Sequence, residues 1–139
     1  MSEINQFENE LKEGSQLLSK GDLAGAAVKH YRLMQEIIEF LTQKYAPEVY
    51  KKASKYGHWG YWRDEQRYGY DVAYHIIRTE LEQQGREDLS LPLALAWKSA
   101  REIQEEMRYH FHGSDEELIR EDIDNIRRFW YKIKDFIKE

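Results

Sequence analysis

Apolar residues along this chain recur three and four positions apart, which is the period of an α-helix with one buried face. Ile4, Phe7, Leu11 and Leu18 form the first such stripe, and Ser2 stands where an N-cap would. Gly21 and Asp22 then supply a helix stop and the next N-cap in consecutive positions. The second helix carries Leu23, Ala27, His30, Met34, Ile37 and Leu41 on one line. Ala26, Leu33 and Phe40, with Tyr31 and Ile38, widen that line, so this helix is predicted to be the central, most buried one.

Pro47 opens a short helix, Glu48 to Tyr56, which Gly57 stops. Gly57-His58-Trp59-Gly60-Tyr61-Trp62 reads as a loop or chain reversal. From about Arg63 to Gln84 a helix resumes with Tyr70, Ala73, Ile77 and Leu81 inward, and Gly85 ends it. Ser90 as N-cap and Pro92 in the first turn predict the start of a further long helix, whose inner face is Ala96, Ala100, Ile103, Met107 and His110. Ser114 and Glu117 have the spacing of a capping box. The last helix then places Ile119, Ile123, Ile126, Trp130, Ile133 and Ile137 on alternating four-and-three spacing. No strand-like alternation and no repeat occurs, and the short connections force neighbouring helices to run antiparallel. The expectation is an all-α, antiparallel four- to five-helix bundle forming one domain over residues 1–139.

Composition narrows the class. At 139 residues with 41% hydrophobic positions, the chain is long and apolar enough for a core. It has no cysteine, no secretory signal pattern and no run able to span a bilayer, which predicts a soluble, cytoplasmic protein without disulfides. The same lack of cysteine, with abundant Glu, Lys and Arg, also suits a thermophile. A net charge of −5 excludes a general duplex-DNA binder but leaves room for a local basic patch.

Two clusters could carry chemistry. Arg108-Tyr109-His110-Phe111-His112-Gly113 sets an arginine beside histidines, which can hold a phosphate and move protons near neutral pH. The plain alternative is that His110 packs in the core and His112 favours a helix C-terminus. Between Tyr56 and Tyr70, the aromatic residues Trp59 and Trp62 interleave with Arg63 and Arg67, a pattern able to stack bases and pair phosphates of a single strand. Such residues equally cover the open end of a bundle. No phosphate loop, zinc spacing or serine triad occurs, so neither metal nor cofactor is expected. Glu102 and Glu105, with Glu121 and Asp124, mimic the acidic pairs of helical nucleotide pyrophosphohydrolases. However, Glu105 and Glu121 point about 160° from their apolar centres, toward solvent. Nor do Glu106 and His110, four apart, have the three-residue offset of a dinuclear carboxylate site. His30, alone on an apolar stripe, reads as a satisfied core histidine.

Gly21-Asp22, Ala26, Lys29-His30-Tyr31-Arg32 and Ile37, with Trp97, Ala100 and Phe111-His112, resemble the archaeal PaREP family, which groups with the HEPN superfamily of helical bundles. The resemblance covers most of the chain. It implies a HEPN-like bundle, a homodimer, and an RNA or nucleotidyltransferase context. HEPN ribonucleases carry an arginine, then four to six residues, then a histidine, often followed by glycine. Arg108, His112 and Gly113 occupy that place, with three residues between the first two. The shortened spacing makes a catalytically degenerate, RNA- or nucleotide-associated accessory protein the leading expectation. The rivals are a protein-interaction module with no ligand site and a metal-independent ribonuclease using Arg108 and His112, with His110. The Gly21–Ala26 segment also looks like half of a tetratricopeptide repeat, but nothing recurs at a fixed period.

Overall fold

The computed structural model describes residues 2–55 and 70–138. Among them are six helices and no strand: α1 (Ser2–Ser19), α2 (Leu23–Tyr45), α3 (Pro47–Lys55), α4 (Tyr70–Gln83), α5 (Glu87–Arg108) and α6 (Glu116–Lys138). The protein is an all-α helical bundle, as the periodicity predicts. Its chain divides into two compact units, one made of the residues up to Met34 and those from Leu91 onward, the other of Gln35–Ser90.

In the first unit the six aliphatic and aromatic positions read from the last helix, Ile119 through Ile137, are all buried on α6. Also buried in this unit are Ile4, Phe7 and Leu11 of α1, Ala26, Ala27, Leu33 and Met34 of α2, and Leu93, Ala96, Ala100 and Ile103 of α5. Phe7 meets Trp130 edge-on, with ring centroids 5.5 Å apart. Contacts between Leu11 and Arg127 and between Phe7 and Trp130 have falling and rising numbers, so α1 and α6 run antiparallel. Lys29 pairs with Glu13 at 2.8 Å across the α1–α2 hairpin. That hairpin closes as the sequence predicts. Gly21 takes φ +83°, and the Gly21 and Asp22 amides donate to the Leu18 and Leu17 carbonyls (3.0 and 2.9 Å). Asp22 then caps α2 by accepting the Gly25 amide at 2.8 Å.

In the second unit, Ile37, Ile38 and Leu41 of α2 and Ala73, Tyr74, Ile77 and Leu81 of α4 are buried. The Tyr70 hydroxyl donates to Glu39 at 2.7 Å. Burial holds the Glu39 carboxyl above its ordinary range, against the lowering effect of that hydrogen bond.

Three expectations need correction. Ser90 does not cap α5, and Pro92 does not lie in its first turn. The helix starts at Glu87, so both residues are inside it. Gly85, at φ +76°, ends α4, and Leu89 is buried from the new helix's first turn. The Ser90 hydroxyl is consumed elsewhere, donating to Glu82 and accepting from Arg78, each at 2.8 Å. The cap of α6 is Asp115 rather than Ser114. Its carboxylate accepts the Glu117 and Leu118 amides (2.9 and 3.3 Å), while the Ser114 hydroxyl turns back to Glu106. His110 is not on the inner face of α5: the helix ends at Arg108, and His110 is exposed on the turn beyond it.

Candidate functional site

The turn between α5 and α6 is built by the helix's own unsatisfied carbonyls. The His110 amide donates to the Met107 carbonyl at 3.1 Å and the Phe111 amide to that of Glu106 at 2.9 Å. This is the arrangement that normally ends on glycine, because its closing residue must take positive φ. Here His110 and Phe111 adopt φ 53° and 60°, and Gly113 follows at 72°. Histidine visits this region more readily than most side chains, whereas a phenylalanine there is an outlier with a strain on the order of 1–3 kcal/mol.

That backbone displays side chains outward. Arg108, Tyr109, His110 and His112 are all exposed, while Phe111 and Ser114 are half-buried. The His110 and His112 rings lie edge to face, 6.5 Å between centroids. The Arg108 guanidinium lies 3.4 Å from the Glu105 carboxylate on its own helix. Thus the arginine and two histidines singled out from the sequence share one surface turn, and the arginine already has an acidic neighbour. Trp59, Trp62, Arg63 and Arg67 lie outside the described residues. Glu102, Glu105, Glu121 and Asp124 are all exposed, in keeping with a solvated acidic face. Among the described residues no three His, Asp or Glu side chains gather in a way that could hold a metal ion.

The first unit also holds two buried polar clusters. His30, 1% exposed, donates through Nδ1 to the Ala26 carbonyl at 2.7 Å. That fixes the tautomer, so its Nε2 accepts from Arg127 at 3.3 Å. Arg127 also donates to the Leu11 carbonyl at 3.2 Å. Burial, then the Arg127 charge, lowers the His30 pKa to about 4 against the Ala26 bond and Asp124, and the ring is neutral. The satisfied core histidine expected from the sequence is what the structure contains.

The other cluster was not anticipated. Asp122, 7% exposed, faces Ser99 of α5, whose hydroxyl also accepts from Asn125 at 3.0 Å. Burial pushes the Asp122 carboxyl up to about 7, opposed by the Ser99 hydrogen bond and reinforced by the Glu102 and Glu121 carboxylates. The Asp122 carboxyl therefore titrates near neutral pH. A sequence signal existed: Asp122 is three residues from Ile119 and four from Ile126, which puts it on the apolar side of α6.

Taken together, the fold and this turn define an all-helical bundle protein with an exposed arginine–histidine turn between its last two helices. The chain belongs to the archaeal PaREP1/PaREP8 family, whose sequence profile matches residues 2–130. Several residues that carried the resemblance have structural work: Gly21 turns the chain, Asp22 caps α2, Ala26 holds His30, and Trp97 and Ala100 are buried. Neither a curated protein nor a solved structure matches the chain.

Proposed function

We propose that this protein is an RNA- or nucleotide-associated accessory protein of HEPN-like type, cytoplasmic and homodimeric, that binds single-stranded RNA without cleaving it. A nucleotidyltransferase is the partner protein that the family resemblance implies. The observation that carries the reading is the α5–α6 turn, where Arg108, Tyr109, His110 and His112 are exposed on a backbone that holds two non-glycine residues at positive φ. Strain of that kind concentrates at functional sites. An arginine pairs a phosphate, and the exposed histidine rings beside it can stack on a base. The aromatic and basic residues Trp59, Trp62, Arg63 and Arg67 would add a second stacking platform. Binding without cleavage is supported by the spacing, since only three residues separate Arg108 from His112.

Fluorescence anisotropy with single-stranded RNA oligomers tests this. Binding should be weak and should fall as salt rises, because phosphate contacts release counterions. Arg108→Ala should lower the salt slope by roughly one contact. Trp62→Ala should weaken binding by about 1–3 kcal/mol. His112→Ala should leave it nearly unchanged. RNA hydrolysis that His112→Ala abolishes would instead establish a metal-independent ribonuclease.

A second reading, a protein-interaction module without a ligand site, is favoured by the exposed leucines Leu91, Leu95 and Leu118, at 60%, 43% and 57% exposure. No RNA binding even at low salt would leave it as the better account.

A further inference from the structure

Helix α5 carries two stripes. One, with Leu93, Ala96, Ala100 and Ile103, is buried in the first unit. The other is Leu91, Leu95, Lys98, Glu102 and Glu105, continued past the helix end by Tyr109, and every one of these residues is exposed. Their spacing is four, three, four, three, four, which is the seam period of two paired helices rather than that of a scattered surface. At 100° per residue the five helical positions lie within about 40° of one line. Large apolar side chains sit at both ends of this line: Leu91 is 60% exposed and Tyr109 is 62% exposed. A helix serving only one core has no use for apolar residues on its opposite face.

The order of charges along the line selects what can cover it. Lys98 has no ion pair among the described residues, and Glu102 follows it at the next seam position. If a second copy of α5 lies antiparallel with its dyad at the level of Ala100, Lys98 of each copy meets Glu102 of the other. Leu91 then meets Tyr109 at both ends. Leu95 lies beside Glu105, whose carboxylate is already neutralised in part by Arg108 at 3.4 Å. In a parallel pairing the same line sets Lys98 on Lys98, Glu102 on Glu102 and Glu105 on Glu105. Like charges placed opposite each other are destabilising, so this arrangement is disfavoured.

We propose that the Leu91–Tyr109 stripe of α5 is the surface on which a second copy of this chain docks, antiparallel, with reciprocal Lys98–Glu102 pairs. The proposal deepens the homodimer named above and rests on it. It assigns that dimer a face and a register. Eighteen residues of helix span about 27 Å. A single stripe of this length is small beside a standard interface of roughly 800 Å² per partner.

Sedimentation velocity from about 1 to 100 µM on the full chain tests it, with circular dichroism on each variant to confirm helicity. The wild type should sediment as a dimer at the upper end. Lys98→Glu and Glu102→Lys should each weaken dimerisation at least tenfold when alone, because each places like charges in both pairs. An equimolar mixture of the two variants should recover association, since the heterodimer restores both pairs, and so should the double variant K98E/E102K. A pairing within one helix could not produce recovery on mixing. Leu91→Glu, at a position 60% exposed, should weaken the dimer independently. Single variants that dimerise as well as wild type, or a mixture that fails to associate, would overturn this face while leaving the homodimer intact. A wild type monomeric at 100 µM would remove both, whereas RNA binding by that monomer would leave the RNA reading standing.

Discussion

Gly14 occupies the position on α1 where the stripe Ile4, Phe7, Leu11, Leu18 would otherwise have its next apolar side chain. The reason is on the neighbouring helix. A Cβ at Gly14 would fall 2.5 Å from Cε1 of His30, so the glycine is the space into which the imidazole packs. Glycine inside a helix normally costs about 1 kcal/mol relative to alanine, and replacing it should stabilise an ordinary site. Here the sign reverses, because the ring is pinned on one side by the Ala26 carbonyl and on the other by Arg127. Gly14→Ala should therefore destabilise by about 1–3 kcal/mol through overpacking. In a His30→Ala background the same change should become neutral or favourable, and the coupling can be read from urea denaturation of the four species. Additive effects would mean that His30 does not need the gap. The pairing was invisible in the sequence, since an isolated glycine and a lone histidine acquire meaning only when the α1–α2 hairpin brings them together.

At the level of the helices, existence and buried faces followed from periodicity, and the errors concentrated at the ends. The reason is physical. A stripe reports which side faces the core over many residues, whereas an N-cap is one side chain choosing among adjacent amides. Ser114 and Asp115 are both good caps by type. Asp115 serves because the Ser114 hydroxyl already has the Glu106 carboxylate on the preceding helix. Asp115→Ala should thus cost about 1 kcal/mol and fray the start of α6, while Ser114→Ala should leave the cap in place. Amide hydrogen exchange at Glu117 and Leu118 distinguishes the two. Faster exchange in the Ser114 variant alone would return the cap to Ser114. The same competition explains α5, where Ser90 serves Glu82 and Arg78 instead of a helix terminus.

For the molecule as a whole, two buried groups among the described residues, His30 and Asp122, pull its pH response in opposite directions. His30 has a folded pKa lowered to about 4 from 6.5, so between those values the unfolded chain binds more protons. Stability from this group is present above pH 6.5 and is lost as pH falls toward 4, by on the order of 3 kcal/mol. Asp122 has a folded pKa raised to about 7 from 3.8, so the folded chain binds more protons over that interval, and its effect is to lower stability as pH rises from 4 to 7. Asp122→Asn removes only the second effect. The Tm of this variant relative to wild type should accordingly rise steadily from pH 4 to pH 7, and a pH-independent difference would show that Asp122 ionises as an exposed carboxylate does. The Gly21-Asp22 stop and cap marked the α1–α2 turn, and hydrophobic spacing carried the all-α class and the buried line of α6, because burial repeats with the helix and so leaves a periodic trace. It also drew Arg108, His110 and His112 together, since six consecutive residues share a turn however that turn is built. Packing alone determined that His110 is outside the helix at positive φ and that Arg127 reaches His30 from 97 residues away. A polar group's environment is made by residues remote in the chain, and its energy depends on single contacts that have no period to read.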